Sequence, residues 1–185
     1  MTGSVAMAEH LAGSEAAFVQ KMNEKAKQLG MNDTTFKNCH GIDEDDHLTT
    51  AYDIALMSRE LLTKYPEVTK YTTTWMDSLR DGKAELVNTN KLIRTYDGAT
   101  GLKTGSTSLA LYNLSASATR DNLSLIAVVM RAPSPTDRVS NARNLLDYGF
   151  SNYEYVSTST KDKVVQKVQV EKGIEKDVEL VYKEN

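Results

Sequence analysis

From Ser14 onward, apolar side chains return at Phe18, Met22, Ala26 and Leu29, a helical spacing that gathers them on one face. Ser14 offers an oxygen to the free N–H groups of a first turn, and Gly30 tolerates the left-handed end. The pattern therefore predicts a helix from Ser14 to Leu29 with a buried stripe. A second helix is predicted from Thr50, where Asp53 stands in a capping-box relation, through Ile54, Met57 and Leu61 until Pro66 interrupts it. The segment between them, Thr34 to Thr49, is polar and reads as a loop holding Asn38, His40, Gly41 and the acidic run Asp43 to Asp46.

The period then shortens. Asp81-Gly82 marks a tight turn between two short strands within Trp75 to Val87, followed by Asn88-Thr89-Asn90 and a second turn at Asp97-Gly98. Three strand-like runs come next: Ala99 to Thr107, Tyr112 to Thr119 and Leu123 to Arg131, the last two joined by Arg120-Asp121-Asn122. Connections this short imply an antiparallel meander. Ser134-Pro135-Thr136-Asp137 reads as a helix start, and Val139, Ala142, Leu145 and Leu146 supply an apolar face up to Gly149, so this helix should lie across the sheet. Past Tyr155 the chain turns to Ser/Thr and Lys/Glu. Val156 to Lys161 reads as a linker. Val164, Val168 and Val170, then Val178, Leu180 and Tyr182, alternate around a turn at Lys172-Gly173 as a β-hairpin of a second, incomplete domain.

With 185 residues, 40% hydrophobic and 25% charged, the chain has the makings of an ordinary folded domain plus part of another. A net charge of -3 without a dense Lys/Arg run gives no electrostatic footprint for nucleic acid. Cys39 is the only cysteine, so no intrachain disulfide or cysteine-based metal cluster is possible. His10, His40 and His47 lack metal-ligand spacing, and Asp43 to Asp46 lacks the alternation of a calcium loop; neither a metal nor a cofactor is expected. The longest apolar stretch, Leu125 to Met130, is far shorter than a membrane span, and the first residues lack the pattern of a signal peptide.

One motif carries a mechanism: Lys103-Thr104-Gly105, within Gly101-Leu102-Lys103-Thr104-Gly105-Ser106-Thr107. On a strand edge beside a cleft, the ammonium sets the field, the hydroxyl binds an anionic substrate terminus, and the glycine allows close backbone approach. Extended substrate can pair with such an edge through main-chain hydrogen bonds. Lys-Thr-Gly belongs to the signature of β-lactamases and penicillin-binding proteins.

The surrounding text resembles the serine D-alanyl-D-alanine carboxypeptidases, the low-molecular-weight penicillin-binding proteins of peptidase S11 type. The resemblance runs in order through Val5-Ala6-Met7-Ala8-Glu9, Ala12-Gly13-Ser14-Glu15, and Ala26-Lys27-Gln28-Leu29-Gly30-Met31-Asn32-Asp33-Thr34-Thr35-Phe36. It continues with His40-Gly41-Ile42, Thr50-Ala51-Tyr52-Asp53-Ile54-Ala55, Gly101 to Thr107, Asn113-Leu114-Ser115-Ala116-Ser117-Ala118 and Ala142-Arg143-Asn144-Leu145-Leu146-Asp147-Tyr148-Gly149.

The resemblance implies an α+β fold: the later part of a β-lactamase/transpeptidase-like domain over residues 1–155, then a linker and part of a small β-rich domain over 156–185. In the family the domain has a five-stranded antiparallel sheet with helices on both sides. The resemblance makes Lys103 the catalytic lysine of the cleft wall, Thr104, Gly105, Ser106 and Thr107 substrate-binding, Ser106 N–H the second oxyanion-hole donor, and Arg138 a ligand for the substrate's terminal carboxylate. From position alone, Arg138 reads equally well as a solvated helix-surface arginine.

The departures are as specific. The family's Ser-x-x-Lys nucleophile motif does not occur where the resemblance would place it and should precede Met1; the asparagine of the Ser-x-Asn element falls near Met1. Leu109 and Leu111 stand where the family often has small residues, and Thr89 replaces a basic residue seen in some relatives. The implied parent is an extracytoplasmic cell-envelope enzyme that removes terminal D-alanine from peptidoglycan stem peptides ending in D-Ala-D-Ala and is acylated by β-lactams. This chain alone is expected to be inactive, and any membrane anchor is expected outside it. A non-catalytic module that binds cell-wall peptide or a partner is the alternative; a β-lactamase fits the β-rich tail less well.

Overall fold

Three helices occupy the first third of the chain: α1 (Thr2–Ala12), α2 (Glu15–Gln28) and α3 (Ala51–Lys64). The computed structural model describes residues 2–156 and 164–182, and contacts divide the chain into two units, Met1–Glu154 and Tyr155–Asn185. Helix α2 starts where the sequence puts it, with Ser14 Oγ accepting the Ala17 N–H, and its end is followed by Gly30 at φ +77°. Helix α3 is capped in the same way by Thr50, which accepts from Asp53 N. The Asp53 carboxylate turns inward, 2% exposed, and takes hydrogen bonds from Asp33 N at 3.0 Å and Thr34 Oγ1 at 2.6 Å. It thus ties the polar loop to the helix. The α2 stripe is less covered than its spacing predicts. Only Ala26 is fully buried, while Phe18, Met22 and Leu29 line a hollow of about 300 Å³ with Met31, Phe36 and Met57.

A 3-10 turn at Pro66–Val68 leads into a single helical turn, α4 (Thr69–Thr72). The predicted short hairpin is present as β1 (Met76–Leu79) and β2 (Ala84–Val87), followed by another helical turn, α5 (Leu92–Thr95). Neither α4 nor α5 is long enough to show a helical period in sequence, and α1 has too weak an apolar face to predict from pattern alone.

The meander is β3 (Ala99–Thr107), β4 (Leu111–Arg120) and β5 (Leu123–Ala132), antiparallel and in the order β3-β4-β5. Three strands of this sheet are seen among the described residues, where the resemblance implies five for the whole family sheet. Asp121 and Asn122 take positive φ values of 48° and 65°, the left-handed pair that a two-residue hairpin needs and that Asp and Asn tolerate best. Gly98 enters β3 at φ +73° with Thr119 O only 2.3 Å from where a Cβ would stand.

Helix α6 (Pro135–Asn152) crosses one face of this sheet, capped by Ser134, whose Oγ accepts from Asp137 N. Alternation sends Leu114, Ala116 and Ala118 of β4 and Ala127 and Val129 of β5 into a core with Ala142 and Leu146 of the helix. Burying one such leucine stabilises by roughly 1.5–3 kcal/mol. Two expectations need correction. Leu145 points outward at 50% exposure, because one helical position takes it about 100° off the Ala142–Leu146 face. The helix also continues past Gly149, which serves as a contact point: a Cβ there would lie 2.5 Å from Leu125 Cδ1. On the opposite sheet face Ser58 of α3 meets Ser115 of β4 at 2.8 Å between hydroxyls. Helices on both faces of an antiparallel sheet make the unit α+β.

In the second unit, β6 (Val164–Gln169) pairs antiparallel with β7 (Asp177–Val181), with Val168 opposite Val178. The turn is wider than the Lys172-Gly173 signal implies, since Val170 N bonds Lys176 O at 2.9 Å. Apart from Val156, the expected linker lies outside the described residues.

Candidate active site

Among the described residues β3 is an edge of its sheet, so one side of Lys103-Thr104-Gly105 has no strand partner there. Neighbouring strand residues face opposite ways. Lys103, opposite Ser115, lies on the α3 face and is exposed; Thr104, opposite Leu114, lies on the α6 face and is only 8% exposed. The Lys103 ammonium folds back to donate to Thr104 O at 2.5 Å. A Cβ built on Gly105 would meet nothing within 4 Å, so the strand is open to close approach at this residue. Ser106 is exposed opposite Tyr112.

Arg138 belongs to the first turn of α6, but it is 7% exposed, which removes the solvated-surface reading. Its Nη1 donates to Gly105 O and Asn113 O, both at 3.3 Å, and its guanidinium carbon lies 5.7 Å from the Tyr112 ring centre. Gly105 and Asn113 are paired residues of β3 and β4, and the ladder slips between Tyr112 and Leu114, beside Asn113. Burial pushes the Arg138 pKa down, opposed by Tyr112, yet a guanidinium retains its proton. Its Nε–H is buried with no hydrogen-bond partner among the described residues. The site thus has a cation behind the wall and an ammonium in front of it.

Thr107 sits differently from its neighbours. Its hydroxyl donates to Asp43 Oδ1 at 2.6 Å and accepts the Ala110 N–H at 2.9 Å. Asp43 Oδ2 also receives Leu109 N at 3.3 Å and Ser108 Oγ at 3.4 Å. One member of the acidic run is therefore the tie between the polar loop and the end of β3. Its place in a charged run hid it, since nothing in composition separates Asp43 from Asp45 or Asp46. The turn it holds carries Leu109 at 71% exposure and Leu111 at φ +53°.

Thr89 is the other residue that pattern alone did not assign: its hydroxyl lies 2.5 Å from that of Thr104. Its flanking asparagines fix the turn. Asn88 Nδ2 donates to Thr72 O and Thr74 O, and Asn90, 1% exposed, donates from Nδ2 to Gly101 O at 2.9 Å.

Away from the wall, Glu15 accepts from Cys39 N and Cys39 Sγ, both at 3.2 Å, which holds its carboxyl below the ordinary range; burial, then Glu15, raise the thiol. Among the described residues no cluster of His, Cys, Asp and Glu is arranged to hold a metal ion, and no helix is long and apolar enough to cross a membrane.

Residues 2–134 match the family model described as D-alanyl-D-alanine carboxypeptidase. The D-alanyl-D-alanine carboxypeptidase DacF of Bacillus subtilis is 48% identical over 184 residues, 98% of this chain and 47% of that protein. DacA of Haemophilus influenzae, a carboxypeptidase of the same description, is 34% identical over 96% of this chain and 45% of its own length. Among solved structures, penicillin-binding protein 5 of H. influenzae superposes with a TM-score of 0.79 at 34% identity, over 97% of this chain and 52% of that one. The chain spans about half the length of the curated relatives it matches.

Proposed function

The chain belongs to the D-alanyl-D-alanine carboxypeptidase family, and from that premise we propose that it forms the substrate-anchoring wall of a serine carboxypeptidase acting on peptidoglycan stem peptides that end in D-Ala-D-Ala. One observation carries the reading: Lys103-Thr104-Gly105 on an unpartnered strand edge, with the buried guanidinium of Arg138 against the Gly105 carbonyl.

In this reading the stem peptide lies along β3, and its terminal carboxylate sits beside Thr104 in the positive field of Lys103 and Arg138. Ser106 N–H contributes to the oxyanion hole. Thr107 joins them only by releasing its proton from Asp43. A serine outside these 185 residues attacks the penultimate D-Ala carbonyl, D-alanine departs with a proton, and water then cleaves the acyl-enzyme. β-Lactams acylate the same serine. The work is extracytoplasmic, where the substrate is. Residues 1–155 are part of the transpeptidase-like domain, and 156–185 a linker and part of a β-rich one.

The sequence contains no Ser-x-x-Lys, so the chain alone is expected neither to be acylated nor to release D-alanine. Fluorescent penicillin, incubated with the purified chain beside full-length B. subtilis DacF, tests this. No heat-stable band is expected on the chain. Labelling is expected once the Ser-x-x-Lys segment of the relative is joined to it, and should vanish with Lys103→Ala. A band on the chain alone places the nucleophile within these residues. Labelling that ignores Lys103 removes the wall's role in acylation, and no labelling after the segment is joined favours a non-catalytic peptide-binding module.

A further inference from the structure

Two hydroxyls 2.5 Å apart share one bridging proton, so the Thr89–Thr104 pair has one O–H left to offer outward. The surroundings decide which residue offers it. Thr104 is 8% exposed and Thr89 is exposed, and a buried hydroxyl left without an acceptor costs about 1–3 kcal/mol. The favoured arrangement therefore has Thr104 donating to Thr89, with the Thr89 proton turned to solvent.

Thr89 is not free to drift from this position. Asn88 receives no slack: its backbone N–H donates to Trp75 O at 2.8 Å, while its side chain bridges Thr72 and Thr74 and accepts Asn90 N at 2.9 Å. Asn90 reaches the other way, to Gly101 O on β3, and accepts Leu92 N at 3.2 Å. Both asparagines are spent on backbone groups. What the turn presents at the Lys103-Thr104-Gly105 edge is the hydroxyl of Thr89.

We propose that Thr89 is a substrate-contacting, specificity-determining residue: its O–H, polarised by the hydrogen bond it receives from Thr104, donates to the terminal carboxylate of the bound peptide. This rests on the reading of β3 as the carboxylate-binding wall. A chain of two hydroxyls strengthens its outer donor, because the oxygen that accepts becomes the better proton giver. The ligand class is a peptide with a free C-terminal carboxylate. A C-terminal amide presents its own N–H groups to the pair and loses the charge.

The test is a nuclear magnetic resonance titration of the ¹⁵N-labelled 185-residue chain with an acetylated tripeptide ending in D-Ala-D-Ala, and with the same peptide as its C-terminal amide. Wild type and Thr89→Ser are expected to bind the acid in preference to the amide. Thr89→Val keeps the shape and removes the donor, and should weaken acid binding roughly tenfold with amide binding unchanged. Should valine disturb the turn, seen as lost amide dispersion, Thr89→Ala gives the same comparison. Equal acid binding by wild type and Thr89→Val overturns the proposal and leaves the wall reading standing. An equal loss for acid and amide, or failure of serine to rescue, assigns Thr89 a structural role and overturns it too. Wild type that does not bind, or does not distinguish acid from amide, overturns the proposal together with the reading beneath it.

Discussion

Removing the Asp43 carboxylate should loosen the end of β3 and the turn after it by an amount that its contacts allow to be worked out. The hydroxyl of Thr107 meets it at 2.6 Å, a charge-assisted bond of the class that contributes about 1.5–3 kcal/mol when buried. Asp43 is half-buried, so the lower end applies, roughly 1.5 kcal/mol. The contacts from Leu109 N and Ser108 Oγ, at 3.3 and 3.4 Å, are long and add about 0.5 kcal/mol together. Asp43→Ala should therefore cost about 2 kcal/mol, some 4–8 °C in Tm for a unit of this size, and Asp43→Asn, which keeps one acceptor, about half. Urea unfolding reads the loss as a lower midpoint at constant slope. Hydrogen exchange adds the local signature: the Leu109 and Ala110 amides should exchange faster. Asp45→Ala, at an exposed neighbour, should stay within about 0.5 kcal/mol of wild type. Unchanged exchange at both amides, or equal losses for Asp43 and Asp45, would show that the Asp43 carboxylate does not hold this turn.

Burial, then the hydrogen bond to Asp147 at 2.7 Å, push the Tyr96 phenol up to about 12, against the pull of Arg120 and Arg143. The fold favours the protonated phenol, so this contribution is complete below the ordinary value of 10.0 and lost as pH rises towards about 12. Tyr96→Phe should flatten the decline of stability in that window, and an undiminished decline would assign it to other groups. Gly98→Ala combines φ +73° with a Cβ 2.3 Å from Thr119 O, so the left-handed penalty and overpacking together should cost about 3 kcal/mol in urea unfolding. Gly41→Ala, with φ +81° in open space, should show the first cost without the second; equal losses at the two glycines would mean that the Thr119 contact is not felt.

Regular repeats and local chemistry were legible: Ser14, Thr50 and Ser134 cap the helices they were expected to cap, and Ala99 to Thr107 is the strand that carries Lys103. What escaped the reading depends on distance or brevity. Four-residue helices such as α4 and α5 span little more than one period. Asp43 and Thr107 are 64 positions apart, and Thr89 and Thr104 are 15 apart, so neither pair leaves a local pattern. Leu145 failed for another reason: Leu145 and Leu146 are equally apolar, and only packing against the sheet decides which one is buried.

The meander has a consequence in time. β3 meets β4 across residues 108–110, β4 meets β5 across Asp121 and Asn122, and α6 starts at Pro135, three residues after β5 ends. Loops this short cost little entropy to close, so residues 99–152 hold the contacts best suited to form early in folding. The bond between Asp43 and Thr107 closes a far longer loop and belongs after the main barrier. The wall would then fold at much the same rate without Asp43, whose loss would appear in how fast the finished structure comes apart.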